Sequence, residues 1–268
     1  MTALIFDLDD TLLVQEKTNR DLLAQMGKEI GLNPLSFVDS FLNEMALSYG
    51  TLKSLGWCRQ IGISAGELLW GDFSLPQPTL QSQTDLHHWE ILSQEVPLFR
   101  SRVWNRALGR EFSPSRVQEL AETFLLRRKE LLVLLPGAAE VLTELSAQYT
   151  LAILTNGAPG LQWYKIQACG LAHLFQVKIV SGDWGIGKPH PRIFEITLKA
   201  LESHLGQKPA KTFMIGNSLS SDIRGADHAG LPSLWLDWEN ATPPQDLNPT
   251  AIVKTLGEIP AALSGLFN

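Results

Sequence analysis

Cysteine is scarce in this chain: Cys58 and Cys169 are the only two in 268 residues, far apart and outside any Cys-x-x-Cys or Cys/His cluster. That argues against a disulfide framework or a zinc site, and fits a reducing cytoplasm. Long apolar runs are also missing. Asp7 interrupts the first run before a signal-peptide core could form, and no later run approaches the ~18 residues of a membrane span, so neither export nor anchoring is expected. Basic residues are outnumbered, 22 against 28 acidic, and the formal charge of -6 opposes general binding to nucleic acid while leaving room for a small anionic substrate. The six histidines show no His-x-x-x-His spacing, and there is no internal repeat or low-complexity tract.

What is present reads as an ordinary globular composition, 44% hydrophobic and 19% charged, in a chain longer than the typical ~150-residue domain. One large domain, or one domain carrying an insertion, is expected. The apolar stretch from Ala3 to Phe6 reads as a buried strand. After Leu13 the pattern turns helical: Leu22, Leu23, Met26 and Ile30 share a face, and Phe37, Phe41, Met45 and Leu47 continue the rhythm. Ser74 to Asp85, rich in Pro, Gln, Ser and Thr, reads as a long surface loop. Ser113-Pro114 supplies an N-cap and a first-turn proline leading into a helix over RVQELAETFLLRRKELL, to Leu132.

From Leu135-Pro136-Gly137 onward, helical and strand patterns alternate: AAEVLTELS, TLAILTN, LQWYKIQACG, VKIVS, PRIFEITLKALE, TFMIG, SDIRGADHAG and SLWLD. Such βαβ alternation implies a parallel sheet covered by helices on both faces. The first strand has no parallel partner nearby in sequence and is placed in this later sheet. The expected fold class is therefore α/β, a Rossmann-like parallel core made of residues 1–13 and 136–268, with residues 14–135 inserted as an α-helical cap.

In a parallel sheet, ligands bind beyond the carboxyl ends of the strands. At those positions stand Asp7, Asp9, Asp10 and Thr11, then Thr155 and Asn156, then Lys188, then Asn217 and Asp222. Clustered carboxylates repel unless they share a cation. Oxygen-only ligands at a wet rim select a hard ion such as Mg²⁺, which normally joins substrate phosphate to one or two carboxylates.

These residues resemble the motifs of the haloacid dehalogenase superfamily. DLDDT is similar to its DxDxT motif, LTN to its short second motif, GKP to its lysine motif and GNSLSSDI to its acidic fourth motif, all in order. The resemblance implies a HAD-like core with an inserted cap, and a Mg²⁺-dependent phosphatase acting on a small phosphorylated metabolite. It implies that Asp7 is the nucleophile that forms an aspartyl-phosphate and that Asp9 is the acid and base. Thr155 and the backbone N–H of Asn156 would hold phosphoryl oxygens, and Lys188 would neutralise charge. Mg²⁺ would be held by Asp7, the Asp9 carbonyl oxygen, Asn217 and Asp222. Related chemistries are phosphoryl transfer in a mutase, 2-haloacid dehalogenation, and phospholigand binding without catalysis. Asp9 favours a phosphatase over a dehalogenase, because an alkoxide needs a proton to leave and a halide does not.

The pattern departs from the family at Asn217, where an Asp is usual; the neutral amide is expected to weaken the metal site. Asp183, ahead of the lysine motif, is a further acidic candidate. In the cap, residues 99–130 hold eight basic residues against four Glu. Arg102, Arg106 and Arg110, spaced by four, would share a helix face, and Arg106 is the candidate for capturing an anionic substrate. Trp57, Trp70, Trp89 and Trp104 are candidates for an apolar wall over the site. Leu13-Val14 and Leu135-Pro136 are the expected hinges.

Overall fold

Strand β1, Thr2–Phe6, carries the shortest argument for the whole architecture. Ala3, Leu4, Ile5 and Phe6 are all fully buried, which a strand achieves only when both faces of its sheet are covered. Alternate residues point to opposite faces. Leu4 and Phe6 join an apolar cluster with Leu142, Leu145, Ile166 and Leu263, while Ala3 and Ile5 join another with Ile193, Phe194 and Leu201. Burying a side chain such as Ile5 or Phe6 contributes roughly 1.5–3 kcal/mol.

The computed structural model describes residues 1–73, 83–238 and 240–266. On one side β1 pairs in parallel with β2, Thr150–Thr155, with Phe6 opposite Ile153. On the other it pairs with β4, Lys211–Gly216, with Phe6 opposite Ile215. Strands β3 (Val177–Val180), β5 (Ser233–Leu236) and β6 (Ala251–Val253) complete a six-stranded parallel sheet in the order β3-β2-β1-β4-β5-β6. The chain's first strand is thus central, and its end faces the ends of β2 and β4.

Between residues 14 and 135 the described residues form six α-helices: α1 (Glu16–Glu29), α2 (Pro34–Tyr49), α3 (Leu55–Ile61), α4 (Ala65–Trp70), α5 (Gln83–Leu108) and α6 (Pro114–Glu130). They bury an apolar cluster of their own around Leu23, Phe41, Trp104 and Phe124. Their starts follow the expected capping chemistry. Asn33 accepts from the N–H of Ser36, Ser113 from that of Arg116, and Ser64 with Glu67 forms a reciprocal capping box. The chain enters and leaves this layer side by side, through Val14 N–H to Val133 O at 2.8 Å and Leu135 N–H to Leu12 O at 2.8 Å.

The remaining helices, α7 (Ala138–Ser146), α8 (Pro159–Ala168), α9 (Pro191–Leu205), α10 (Arg224–His228) and α11 (Ile259–Gly265), belong to the sheet-bearing part. Two expectations need correction. Residues 83–85, read as loop, are helical in α5, while residues 74–82 lie outside the described part of the chain. Leu47 departs from the apolar face of α2 and is 55% exposed, because that face turns toward Phe37 and Phe41.

Candidate active site

Asp7 is held at the tip of the central strand, where its N–H extends the ladder to Ile215 O at 3.0 Å. The chain then turns sharply, with Asp10 in the left-handed region at φ 57°. The Asp10 carboxylate accepts from the N–H groups of Gln15 at 2.7 Å and Glu16 at 3.2 Å, so it anchors the entry to α1. Thr11, fully buried, accepts from the N–H of Asn217 at 3.1 Å. Its one hydroxyl proton is shared between Asp7 Oδ2 and Asn217 Oδ1, each 3.2 Å away. Thr11 therefore ties the first and fourth motifs together, the supporting role its residue type suggests.

Lys188 spends all three ammonium protons: on Asp7 Oδ1 at 2.6 Å, on Asp222 Oδ1 at 2.7 Å, and on Leu154 O at 2.7 Å. Burial disfavours this charge, but Asp222 and Asp7 outweigh it and hold the ammonium above the usual lysine range. Asp222 is fully buried, and its Oδ2 accepts from the N–H of Ser218 at 3.0 Å. It lies so close to the end of β4 that a Cβ on Gly216 would stand 2.2 Å from Oδ2, so the position needs glycine.

One ammonium between two carboxylates leaves Asp7 short of positive charge. Burial raises its pKa, Lys188 counteracts, Asp222 and Asp9 add repulsion, and the result is pushed up to about 7. This deficit fits a hard cation. Asp7, Asn217 and Asp222 supply oxygen only, and among the described residues no group of three or more His, Cys, Asp or Glu side chains is arranged to hold a metal ion by itself. That is a donor set suited to Mg²⁺, which takes one or two carboxylates and leaves room for phosphate and water, and unsuited to zinc.

Asp9 is held by different partners. Lys165, on α8, reaches its two carboxylate oxygens at 3.0 and 2.8 Å, and Gln162 Nε2 donates to Oδ2 at 2.9 Å. The same nitrogen donates to Glu67 of α4 at 2.6 Å. Burial raises Glu67 to about 7, with Lys165 lowering it and Asp9 raising it. Arg128 is also fully buried, bonded to Asn19, Gln15 and the Leu131 carbonyl, with its guanidinium 4.4 Å from the Trp70 ring centroid. Sequence reasoning did not single out Glu67, Gln162, Lys165 or this role of Arg128. A signal existed in α8, where Gln162 and Lys165 fall among Leu161 and Ile166 on the buried side of the helix, an unusual place for such polar groups.

The helical layer closes over these residues. The backbone of Ile61 accepts from Gly157 N–H at 3.2 Å and from the Ser181 hydroxyl, and Gln60 Nε2 donates to Gly185 O at 2.6 Å. Gly62, at φ 76°, lets this loop touch Asn156; a Cβ there would stand 2.5 Å from Nδ2. The Asn156 side chain is bonded to the backbone of Lys188 at 2.9 and 2.8 Å. The Thr155 hydroxyl lies 3.3 Å from Gln162 Oε1. Beneath the layer is a cavity of about 560 Å³, lined among others by Asp7, Asp9, Thr155, Asn156, Lys188 and Asn217.

Some candidates fall elsewhere. Arg106 lines a separate surface depression with Arg110 and pairs with Glu44 at 3.5 Å, not with the cavity. Arg102 bonds to Thr51, and Arg110 sits in a turn past the end of α5, so the three do not form one catching face. Asp183 accepts from the Trp163 indole at 2.8 Å, away from the cavity. Of the four tryptophans only Trp70 lines the cavity; Trp57, Trp89 and Trp104 are buried among the helices.

A carboxylate fixed by a buried lysine, beside a second carboxylate with its own donors, stands at the strand ends of a parallel sheet, where such folds bind their ligands. A model of the haloacid dehalogenase-like hydrolases matches residues 1–230, and the chain belongs to that family. It is 35% identical to a phosphoserine phosphatase of Thermus thermophilus over 239 residues, covering 88% of this chain and 89% of that protein. It is 30% identical to the pyrimidine 5'-nucleotidase YjjG of Escherichia coli over 175 residues, 65% of this chain and 74% of that protein. The fold is shared with the HAD-hydrolase YfnB of Bacillus subtilis, solved bound to magnesium, at a TM-score of 0.55 and 24% identity over 98% of both chains.

Proposed function

We propose that this hydrolase is a Mg²⁺-dependent phosphatase that cleaves a small phosphate monoester through Asp7. The observation that carries the reading is the division of labour at the cavity floor. Asp7 has one oxygen committed to Lys188, and among the described residues its other oxygen meets only the shared Thr11 hydroxyl, which leaves a lone pair for attack. Asp9, two residues on, is tied instead to Lys165 and Gln162.

In this reading Asp7 Oδ2 forms a bond to phosphorus as the ester oxygen leaves, and Asp9 gives that oxygen its proton. Asp9 then takes a proton from water as water breaks the aspartyl-phosphate, which frees phosphate, returns Asp7 as a carboxylate and leaves Asp9 protonated for the next cycle. Lys188 balances charge on Asp7 and the transferring group, and Thr155 with the backbone N–H of Asn156 holds phosphoryl oxygens. Asp7, the Asp9 carbonyl, Asn217 and Asp222 are the groups that would hold Mg²⁺, which when bound supplies the missing positive charge and draws phosphate oxygen to the site. Residues 14–135 act as the cap that excludes water, hinged where the chain crosses at Leu13-Val14 and Leu135-Pro136.

The phosphatase and nucleotidase relatives support a phosphorylated metabolite as substrate, and phosphoserine is the first ester to try. The unpaired thiols of Cys58 and Cys169 suit a reducing cytoplasm. Phosphate release from a panel of phosphorylated metabolites, with and without Mg²⁺, tests the proposal. Activity that needs Mg²⁺ and falls on the order of 10⁵-fold in Asp7→Asn is expected. Metal-independent halide release from a haloacid, with no phosphate release from any ester, would overturn it.

A further inference from the structure

Two helices from opposite sides of the cavity meet over Asp9 with matching spacing. Helix α4 presents Glu67 and Trp70, and helix α8 presents Gln162 and Lys165. Each pair is three residues apart and so on one face. Glu67 Oε1 accepts from Gln162 at 2.6 Å, and the Lys165 ammonium stands 5.4 Å from the Trp70 ring centroid. Both Gln162 and Lys165 also hold Asp9. One contact between the inserted helices and the sheet-bearing part therefore runs directly through the partners of one carboxylate.

Gln162 is the joint, and both of its amide N–H donors are committed. Its amide nitrogen donates to Glu67 and to Asp9, and its carbonyl oxygen lies 3.3 Å from the Thr155 hydroxyl. Turning the amide over would set its oxygen against two carboxylates, so the orientation is forced by charge. The side chain is fully buried, so water cannot replace a lost partner. Glu67 is fixed in turn by its own helix, through the N–H of Ser64 at 2.9 Å. If α4 lifts away, Gln162 loses one of its two acceptors and is no longer held in a single orientation against Asp9.

We propose that Glu67 and Gln162 are positioning residues for proton transfer: Glu67 fixes the Gln162 amide, and the amide aims the Asp9 carboxyl, only while α4 rests on α8. The proposal rests on the reading of Asp9 as acid and base. It makes the proton donor competent when the cavity is covered and slack when it is open to water.

The test separates positioning from general damage by leaving group. Nitrophenolate departs without a proton, whereas an alkoxide needs one. In Glu67→Leu and Gln162→Leu, the ratio of kcat on an alkyl phosphate to kcat on p-nitrophenyl phosphate should fall by about tenfold or more, since a general acid contributes roughly 10²–10⁴-fold. Glu67→Gln keeps a carbonyl to accept from Gln162 and should hold the ratio within about threefold of wild type. Asp9→Asn should show the same selectivity to a larger degree. Equal slowing of both esters in the Leu variants, or a Glu67→Gln ratio as low as theirs, overturns the inference while a selective Asp9→Asn leaves the phosphatase reading standing. An Asp9→Asn variant with no selectivity overturns both. Should a Leu variant fail to fold, Gln162→Asn, which withdraws the amide by one methylene, reads the same ratio.

Discussion

Replacing Glu67 by Gln should make the protein less stable in acid and more stable above neutrality. Glu67 is buried, and its pKa rises from an ordinary 4.5 to about 7, chiefly through desolvation, with Lys165 pulling the other way. Below pH 4.5 the side chain is protonated in both folded and unfolded chains and adds no pH-dependent term. Between 4.5 and 7 the unfolded chain releases its proton while the folded one keeps it, so folding loses ground. Above pH 7 the loss levels off at about 3 kcal/mol, from a shift of roughly two and a half units at 1.36 kcal/mol each. Glu67→Gln escapes this penalty. Its amide can still accept from Gln162, but it turns an N–H toward Ser64 and loses that bond, at a cost of about 1 kcal/mol. The variant should therefore be about 1 kcal/mol less stable at pH 4 and about 2 kcal/mol more stable at pH 8. At roughly 2–4 °C per kcal/mol for chains of this size, its Tm should lie about 2–4 °C below wild type in acid and about 4–8 °C above it in alkali. Thermal unfolding in chelator across that range measures the difference, in which Asp7, common to both proteins, cancels. A Tm difference that stays constant with pH, or reverses in the opposite sense, would refute the reasoning.

Other outcomes follow from the same geometry. Asp7 must be ionised to attack, and with its pKa near 7 activity at trace Mg²⁺ should fall as pH drops below neutrality; saturating Mg²⁺ should move that fall to lower pH, as a pH–rate profile at two metal concentrations will show. Asn217→Asp adds a carboxylate beside Asp7 and should tighten Mg²⁺ activation by roughly tenfold; an unchanged metal titration would remove residue 217 from the metal site. Arg106→Ala should leave KM within about twofold of wild type, since Arg106 pairs with the half-buried Glu44 at a surface depression outside the cavity.

Much of the molecule was legible in short stretches. The alternation after Leu135 marked a parallel sheet, and its strands end where the chemistry-bearing residues stand. Asp7 follows β1, and Thr155 and Asn156 stand at the end of β2, because a strand's end is a local property of its apolar run. The Ser113 cap is equally local, written within four residues. The basic stretch from Arg100 to Lys129 was legible too, but it misled. Its charges satisfy partners such as Glu44, Glu29 and Asn19 that lie far away in sequence.

The order of residues alone determined which side chains arrive at the carboxyl ends of the strands, because hydrophobic period and turn chemistry act over a few positions. It left open which helix of the insertion covers them and which side chain meets which. Tertiary packing decided that Gln162 reaches both Glu67 and Asp9, that Trp70 rather than Trp57, Trp89 or Trp104 lines the cavity, and that Arg106 faces elsewhere. Those contacts join faces of helices about a hundred residues apart, and no local periodicity records the angle at which two such faces come to rest.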